Sequence, residues 1–269
     1  MSKDMQNIIR ASLGKTEAQF LSRIGAKRFF TIEEARQILG HKKEDHTSQF
    51  LDRLKRKGWI LRIKRGLYVM VPLSADEEGN PQVHEFHVAM HLVSPAAIAY
   101  WTALNHHGMT EQLPRTVFIA TNHPVRHPPK EVLWFSYRIV SLRPQRFFGI
   151  MQEWIDESPV SITDKEKTII DGLDLPGYVG GVGEIAKALR ISWKQLNKER
   201  LFQYAVRMGN TAVAKRLGFL LETLKIGDAE SLRREAQRSK GFPLLDPQLP
   251  RRGKHSRRWG LLVNVEQME

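Results

Sequence analysis

Between Phe29 and Val71 the sequence FFTIEEARQILGHKKEDHTSQFLDRLKRKGWILRIKRGLYVMV leaves few ways to fold. Thr31 and Glu34 are placed so that the threonine hydroxyl accepts from the amide at N3 while Glu34 reaches back, a capping box that opens a helix. Ala35, Ile38 and Leu39 supply its buried stripe, and Gly40 ends it. His41 to Glu44 read as a turn. A second helix is predicted from about Asp45 to Lys57, with Phe50, Leu51 and Leu54 inward and Gly58 as the stop. Trp59 to Ile63 and Leu67 to Val71 flank Lys64, Arg65 and Gly66, the pattern of a hairpin with a basic tip. This order is the plan of a winged helix-turn-helix. Ala18, Phe20, Leu21 and Ile24 have the spacing of a preceding helix, ending at Gly25, that completes a trihelical core.

The outward face of the second helix carries His46, Ser48, Gln49, Asp52, Arg53, Lys55 and Arg56. Such a helix fits the major groove, where hydroxyl, amide and guanidinium groups reach base edges while cations neutralise phosphates. Thr47, Ser48, Gln49 and Arg53 are therefore expected at bases. Lys55, Arg56, Lys57, Arg62, Lys64 and Arg65 are expected at phosphates, Lys64 and Arg65 through the wing. The net charge of +13 is unevenly placed: residues 1–72 hold sixteen Lys and Arg against seven Asp and Glu, and residues 73–231 seventeen against eighteen. Residues 232–258 then hold nine against two. Two basic segments around a neutral body suggest two contacts with a polyanion, nucleic acid before a membrane surface, because no Leu or Trp face lies opposite the cations.

The expected fold class is mainly α with small β elements (α+β): residues 1–72 a winged helix, 73–82 a linker, 83–231 an α+β domain, and 232–269 a basic tail with a final strand. The linker reading rests on the acidic stretch from Pro72 to Pro81. His84 to Leu92 reads as a short helix, and Ser94 and Pro95 as N-cap and N1 of another running to Gly108. Thr116 to Thr121, Val132 to Ser141 and Pro159 to Thr163 are predicted strands of one small sheet. Helices are predicted over Lys165 to Leu173, Val182 to Leu189, Trp193 to Met208 and Thr211 to Leu224, with Gly218 and Gly227 breaking or ending the later ones. Leu261 to Val265 reads as an edge strand.

Cysteine is absent, which excludes a disulfide framework, a thiolate zinc site and a cysteine nucleophile, and points to a reducing cytoplasm. No apolar run approaches a membrane span, and the opening MSKDMQNIIR lacks the core of a signal peptide. His84, His87 and His91 share a helix face, with His106, His107, His123 and His127 in the same region, but surface or hydrogen-bonded histidines are the simpler reading and no metal or cofactor is expected. GYVGGVG, Gly177 to Gly183, lacks the Lys-Ser/Thr of a phosphate loop and reads as a turn feeding a helix. In DKEK, Asp164 to Lys167, helix capping by Asp164 accounts for the carboxylates more simply than a metal nuclease does.

The winged helix ending in RGLYVMVPL, the LVSPAAIAYWTALNHHGMTEQ helix, ITDKEKTIIDGLDLPGYVGG and AKRLGFLLE together resemble the AbiEi antitoxins of type IV toxin-antitoxin and abortive-infection systems, over about Phe29 to Leu224. The resemblance implies a transcriptional repressor that binds inverted repeats in double-stranded DNA at its own promoter. It further implies an antitoxin to a nucleotidyltransferase toxin without a stable complex, its C-terminal domain being needed for antitoxicity. It places recognition on Thr47, Ser48, Gln49 and Arg53 and wing contacts on Lys64 and Arg65. The protein is then expected not to be an enzyme, to be monomeric or weakly self-associating, and to bind two half-sites. The tail lies outside the resemblance: Arg233, Arg234, Arg238, Lys240, Arg251, Arg252, Lys254, Arg257 and Arg258 read either as a secondary DNA surface or as a solvated tail. A DNA-targeted nuclease or toxin-modifying enzyme, and a protein-interaction adaptor, are the alternative readings.

Overall fold

The computed structural model describes residues 11–25, 27–71, 83–156 and 158–266; the linker expected between Pro72 and Pro81 falls outside them. The chain divides into two compact units, residues 1–84 and 85–269, and the class is α+β, mainly helical.

In the first unit, α1 (Lys15–Ile24) precedes a short strand β1 (Phe29–Thr31), α2 (Ile32–Leu39), α3 (Glu44–Arg56), β2 (Ile60–Lys64) and β3 (Leu67–Met70). The Thr31 and Glu34 capping box forms, and Gly40 closes α2 in the left-handed region at φ 67°. The three antiparallel strands run in the order β1-β3-β2; β1 is a third strand that the apolar pair Phe29 and Phe30 did not announce. Phe20 of α1 holds the centre, its ring edge-on to Phe30 at 5.8 Å and to Phe50 at 5.3 Å. Ile24, Leu51, Leu54 and Ile60 close the core around it. Gly66 turns the hairpin with φ 74° and accepts from the Ile32 amide at 2.9 Å, tying its tip to the start of α2.

The second unit begins with α4 (Glu85–Leu92), β4 (Ala97–Ile98), α5 (Tyr100–His106), β5 (Thr116–Thr121), β6 (Glu131–Val132), β7 (Phe135–Ser141), β8 (Ile150–Ile155) and β9 (Ser158–Thr163). These strands form one six-stranded mixed sheet in the order β6-β7-β5-β4-β9-β8. The three predicted stretches lie in it, the one from Val132 to Ser141 divided between β6 and β7, and the strands β4 and β8 were missed. The helix predicted from Ser94 starts only at Tyr100, because Ala97 and Ile98 pair with Ala120, Ile119 and Ile162 in the middle of the sheet. Such a short apolar run carries no period of its own. Strand β8 is a sheet edge of mixed polarity, MQEW at its centre.

Five helices follow: α6 (Lys165–Asp174), α7 (Val182–Ser192), α8 (Lys198–Arg207), α9 (Thr211–Leu224) and α10 (Glu230–Ala236), then a two-stranded ladder of β10 (Lys254–Ser256) and β11 (Leu261–Val263). Asp164 caps α6 by accepting from the Lys167 amide at 2.7 Å. Every residue from Glu166 to Asp174 is buried, so α6 is the axis around which α7, α8 and α9 pack. The helix predicted from Trp193 begins instead at Lys198, capped by Asn197. Gly218 does not break α9; its missing side chain lets the Trp259 ring lie against the helix. Leu245, Trp259 and Leu261 are part of the same core, and the final strand pairs with β10 rather than with the six-stranded sheet. No helix among the described residues is long and apolar enough to cross a membrane.

Candidate nucleic-acid interface

Helix α3 divides cleanly by burial. Phe50, Leu51 and Leu54 are buried, while His46, Gln49, Asp52, Arg53, Lys55 and Arg56 are exposed and Ser48 is half-buried. Gln49 and Arg53 stand one turn apart on the exposed side. The Arg53 guanidinium lies 5.5 Å from the centroid of the Phe50 ring, a cation–π contact that steadies an otherwise flexible side chain. Thr47 is not with them. It is fully buried, its Oγ1 3.1 Å from Nδ1 of His41, so the expectation of a base contact at Thr47 gives way to a role in fixing the turn between α2 and α3. The helical wheel explains the correction: Thr47 sits three residues before Phe50 and four before Leu51, on the apolar stripe.

Lys57, expected at a phosphate, is also paired within the unit. Its Nζ lies 2.6 Å from Oε2 of Glu17, whose side chain is 9% exposed. Burial alone would raise the Glu17 carboxyl; hydrogen bonds from Lys57 and the Gly14 amide, with the charges of Lys57 and Arg53, overcome it and hold the group below its ordinary value. A carboxylate depressed in the folded state contributes stability above its unfolded value and loses it as pH falls through its folded one. Hydrogen exchange of α1 and α3 amides should therefore show protection falling below about pH 4 in the parent protein, and a flatter fall in Glu17→Gln. An identical acid limb in both proteins would remove Glu17 from this account.

The hairpin presents its cations through a bulge. Arg62 pairs with Tyr68 and Lys64 with Leu67, leaving Ile63 as the extra residue. Ile63 is buried, and Arg62 and Lys64 face outward on either side of it, the re-aiming that a bulge produces. Arg65 is exposed at the tip. Burial by its surroundings lowers the Lys64 ammonium from its ordinary value. Beside α3 lies a groove of about 550 Å³, whose lining includes Lys15, Thr16, His46, Gln49 and Arg53. Sequence reasoning gave Lys15 and Thr16 no role, since only the packing of α1 brings them beside α3.

The C-terminal basic residues divide in two. Arg233 is paired with Glu230 at 2.7 Å, Arg238 with Glu235 at 3.0 Å, and Arg258 with Glu222 at 3.1 Å. Arg234, Lys240, Arg251, Arg252, Lys254 and Arg257 are exposed. The carboxylates of the DKEK region are all structural partners: Asp164 accepts from the Tyr204 hydroxyl at 3.0 Å, Glu166 from the Asn197 amide at 2.7 Å, and Asp174 from Arg146 at 3.1 Å. His87 is buried with Nε2 2.7 Å from the Ile155 carbonyl oxygen. The glycine run is a turn, with the Val182 amide donating to Asp246 Oδ2 at 2.8 Å at the start of α7.

Residues 19–71, from within α1 to just past β3, match a family model described as a transcriptional regulator, AbiEi antitoxin, the family that the sequence motifs resemble. Among solved structures, the crystal structure of the RV2827C protein from Mycobacterium tuberculosis is similar, with a TM-score of 0.65 and 14% sequence identity over 94% of this chain and 93% of that one. At that identity the likeness is one of fold. No curated protein matches the sequence.

Proposed function

We propose that the protein is a DNA-binding transcriptional repressor of its own operon and an antitoxin to a nucleotidyltransferase toxin, acting as a regulator rather than as an enzyme. The reading starts from the family match over residues 19–71. Its carrying observation is the surface that α3 and the hairpin expose: Gln49 and Arg53 on one face of a helix, with Lys55, Arg56, Arg62, Lys64 and Arg65 exposed around it. On this reading the first unit works as a winged helix-turn-helix. Ser48, Gln49 and Arg53 read base edges in the major groove, and the five cations neutralise phosphates. Two copies occupy the halves of an inverted repeat, and the second unit carries the antitoxic role.

The test is binding of the purified protein to the duplex upstream of its gene, beside a scrambled duplex, at several salt concentrations. Preference for the upstream DNA by at least about a thousandfold supports the reading. Equal, steeply salt-dependent affinity for both would reduce the protein to a non-specific binder. Arg53→Ala is expected to cost about 1–3 kcal/mol on the best site and relax its sequence preference, whereas Lys64→Ala should weaken all duplexes alike and lower the salt slope by about one. If both variants changed all duplexes equally, the division between base-reading and phosphate-binding residues would be wrong.

A further inference from the structure

We propose that His106, His107 and Glu153 form a binding site for one divalent transition-metal ion in the second unit, with zinc the best-suited occupant. One donor atom from each of the three residues lies within 4.8 Å of the others. They come from two elements that the sheet brings together: His106 ends α5, His107 is its C-cap, and Glu153 lies on β8. Consecutive residues inside a helix diverge by about 100°. Here the helix stops at His106 and Gly108 turns away at φ 66°, which leaves the two imidazoles 5.4 Å apart, ring to ring.

The hydrogen bond to His107 gives that ring the role that a metal site needs. His107 Nε2 lies 2.7 Å from the Thr163 carbonyl oxygen. A carbonyl only accepts, so the neutral ring carries its proton on Nε2 and its lone pair on Nδ1, as outer partners impose on metal-binding histidines. His106 Nε2 donates to Glu153 Oε2 at 2.6 Å, a proton that an incoming ion displaces before both atoms act as ligands, and the Phe86 ring stands 5.8 Å from the His106 ring, an apolar wall on one side of the group. Metal–ligand bonds of about 2.0–2.2 Å require donors roughly 3.4 Å apart. The His106 and Glu153 side chains are 24% and 30% exposed, so closing the set calls on side-chain rotations of the histidines as well as of Glu153 rather than on a shift of the sheet.

The donor set selects the ion. Two imidazoles and one carboxylate suit zinc, cobalt or nickel, whereas magnesium and calcium prefer sets made of oxygen. Three protein ligands leave a coordination position for water, the arrangement of an open rather than a closed zinc site. The sequence offered His106 and His107 only as two of several histidines in one region, because Glu153 lies far along the chain from the pair and the site has no cysteine signature.

The experiment uses the full-length protein stripped with EDTA and dialysed. Cobalt titration followed by visible absorption, with zinc competing for the cobalt signal, should saturate at about one equivalent. Glu153→Gln keeps an acceptor for His106 but is a poor ligand, and should weaken cobalt binding by about 10- to 100-fold. His106→Asn should do the same, while His123→Asn, at an exposed histidine outside the group, should leave the titration unchanged. Circular dichroism of the stripped variants shows whether each is folded before metal is added. Absence of a saturable equivalent, or affinities for Glu153→Gln and His106→Asn within about twofold of the parent, would overturn the site.

Discussion

Replacing Asp171 by alanine should destabilise the second unit by about 3–5 kcal/mol, because it strands a buried ammonium. Lys167 and Asp171 face each other one turn apart on α6, each with a side chain 1% exposed. The Phe148 ring lies 4.8 Å from the Lys167 ammonium, a cation–π contact that is weaker than the lost carboxylate. Asp171 is itself imperfectly served: its Oδ2 has no hydrogen-bond partner among the described residues. Burial pushes its carboxyl up to about 6, with Lys167 pulling the other way. A carboxyl raised in the folded state contributes stability that is fully present below its unfolded value, near 4, and lost as pH rises through the folded one. The parent protein should therefore lose stability between about pH 4 and pH 6 from this group, and Asp171→Asn should remove that slope. The double variant Lys167→Met, Asp171→Leu takes both charges away at similar volume and should be neutral or more stable. Denaturant titrations of the four proteins, read by hydrogen exchange of α6 and α9, separate these cases. A loss below about 1 kcal/mol for Asp171→Ala would mean that Lys167 finds another partner or escapes to solvent.

Both charges were legible in DKEK and its continuation; their burial was not. Capping signals act over three or four residues, so Thr31 with Glu34, Gly40, and Asp164 with the Lys167 amide could be read directly and are present as read. A helix buried on all sides has no polar face to set its period against, and α6 was recognised as a helix without any sign that it is an axis. Thr47 failed for a different reason. Its position on the stripe was readable, but its hydroxyl was read as a base contact, and its partner His41 lies in the turn before the helix. The pairing of Lys57 went unread because Glu17 is forty residues away, a separation at which spacing carries no information. The strands β4 and β8 and the group at His106, His107 and Glu153 share that difficulty: each is defined by what the sheet places beside it. The candidate DNA surface was largely legible because it lies on one helix face and one hairpin tip, both local patterns.

Trp259→Ala should cost the second unit about 3–5 kcal/mol, and a chain ending at Ser239 should fail to hold that unit together. In the sequence, residues 232–269 read as a basic tail with a final strand, yet their apolar residues fill the core. Trp259 is 3% exposed and lies where Gly218 leaves room on α9, its indole nitrogen donating to Glu222. Leu245 and Leu261 are fully buried. The backbone of the same segment also satisfies buried cations of α9. Lys215 donates to the carbonyl oxygens of Ser239 at 3.0 Å and Gly241 at 2.6 Å, and Arg216 donates to that of Leu244 at 3.0 Å. Removing the segment thus opens a cavity and leaves two cations short of acceptors, each a large cost. Loss of DNA binding or antitoxicity on truncation would then report unfolding, not a lost contact. Whether the tail touches DNA is better asked with Arg251→Ala, Arg252→Ala, Lys254→Ala and Arg257→Ala combined, since all four side chains are exposed. If they lie on phosphates, the salt slope falls with an unchanged melting temperature; if they are solvated, neither changes. A Trp259→Ala protein that melts within a few degrees of the parent would return the segment to the status of a tail and restore truncation as a fair test.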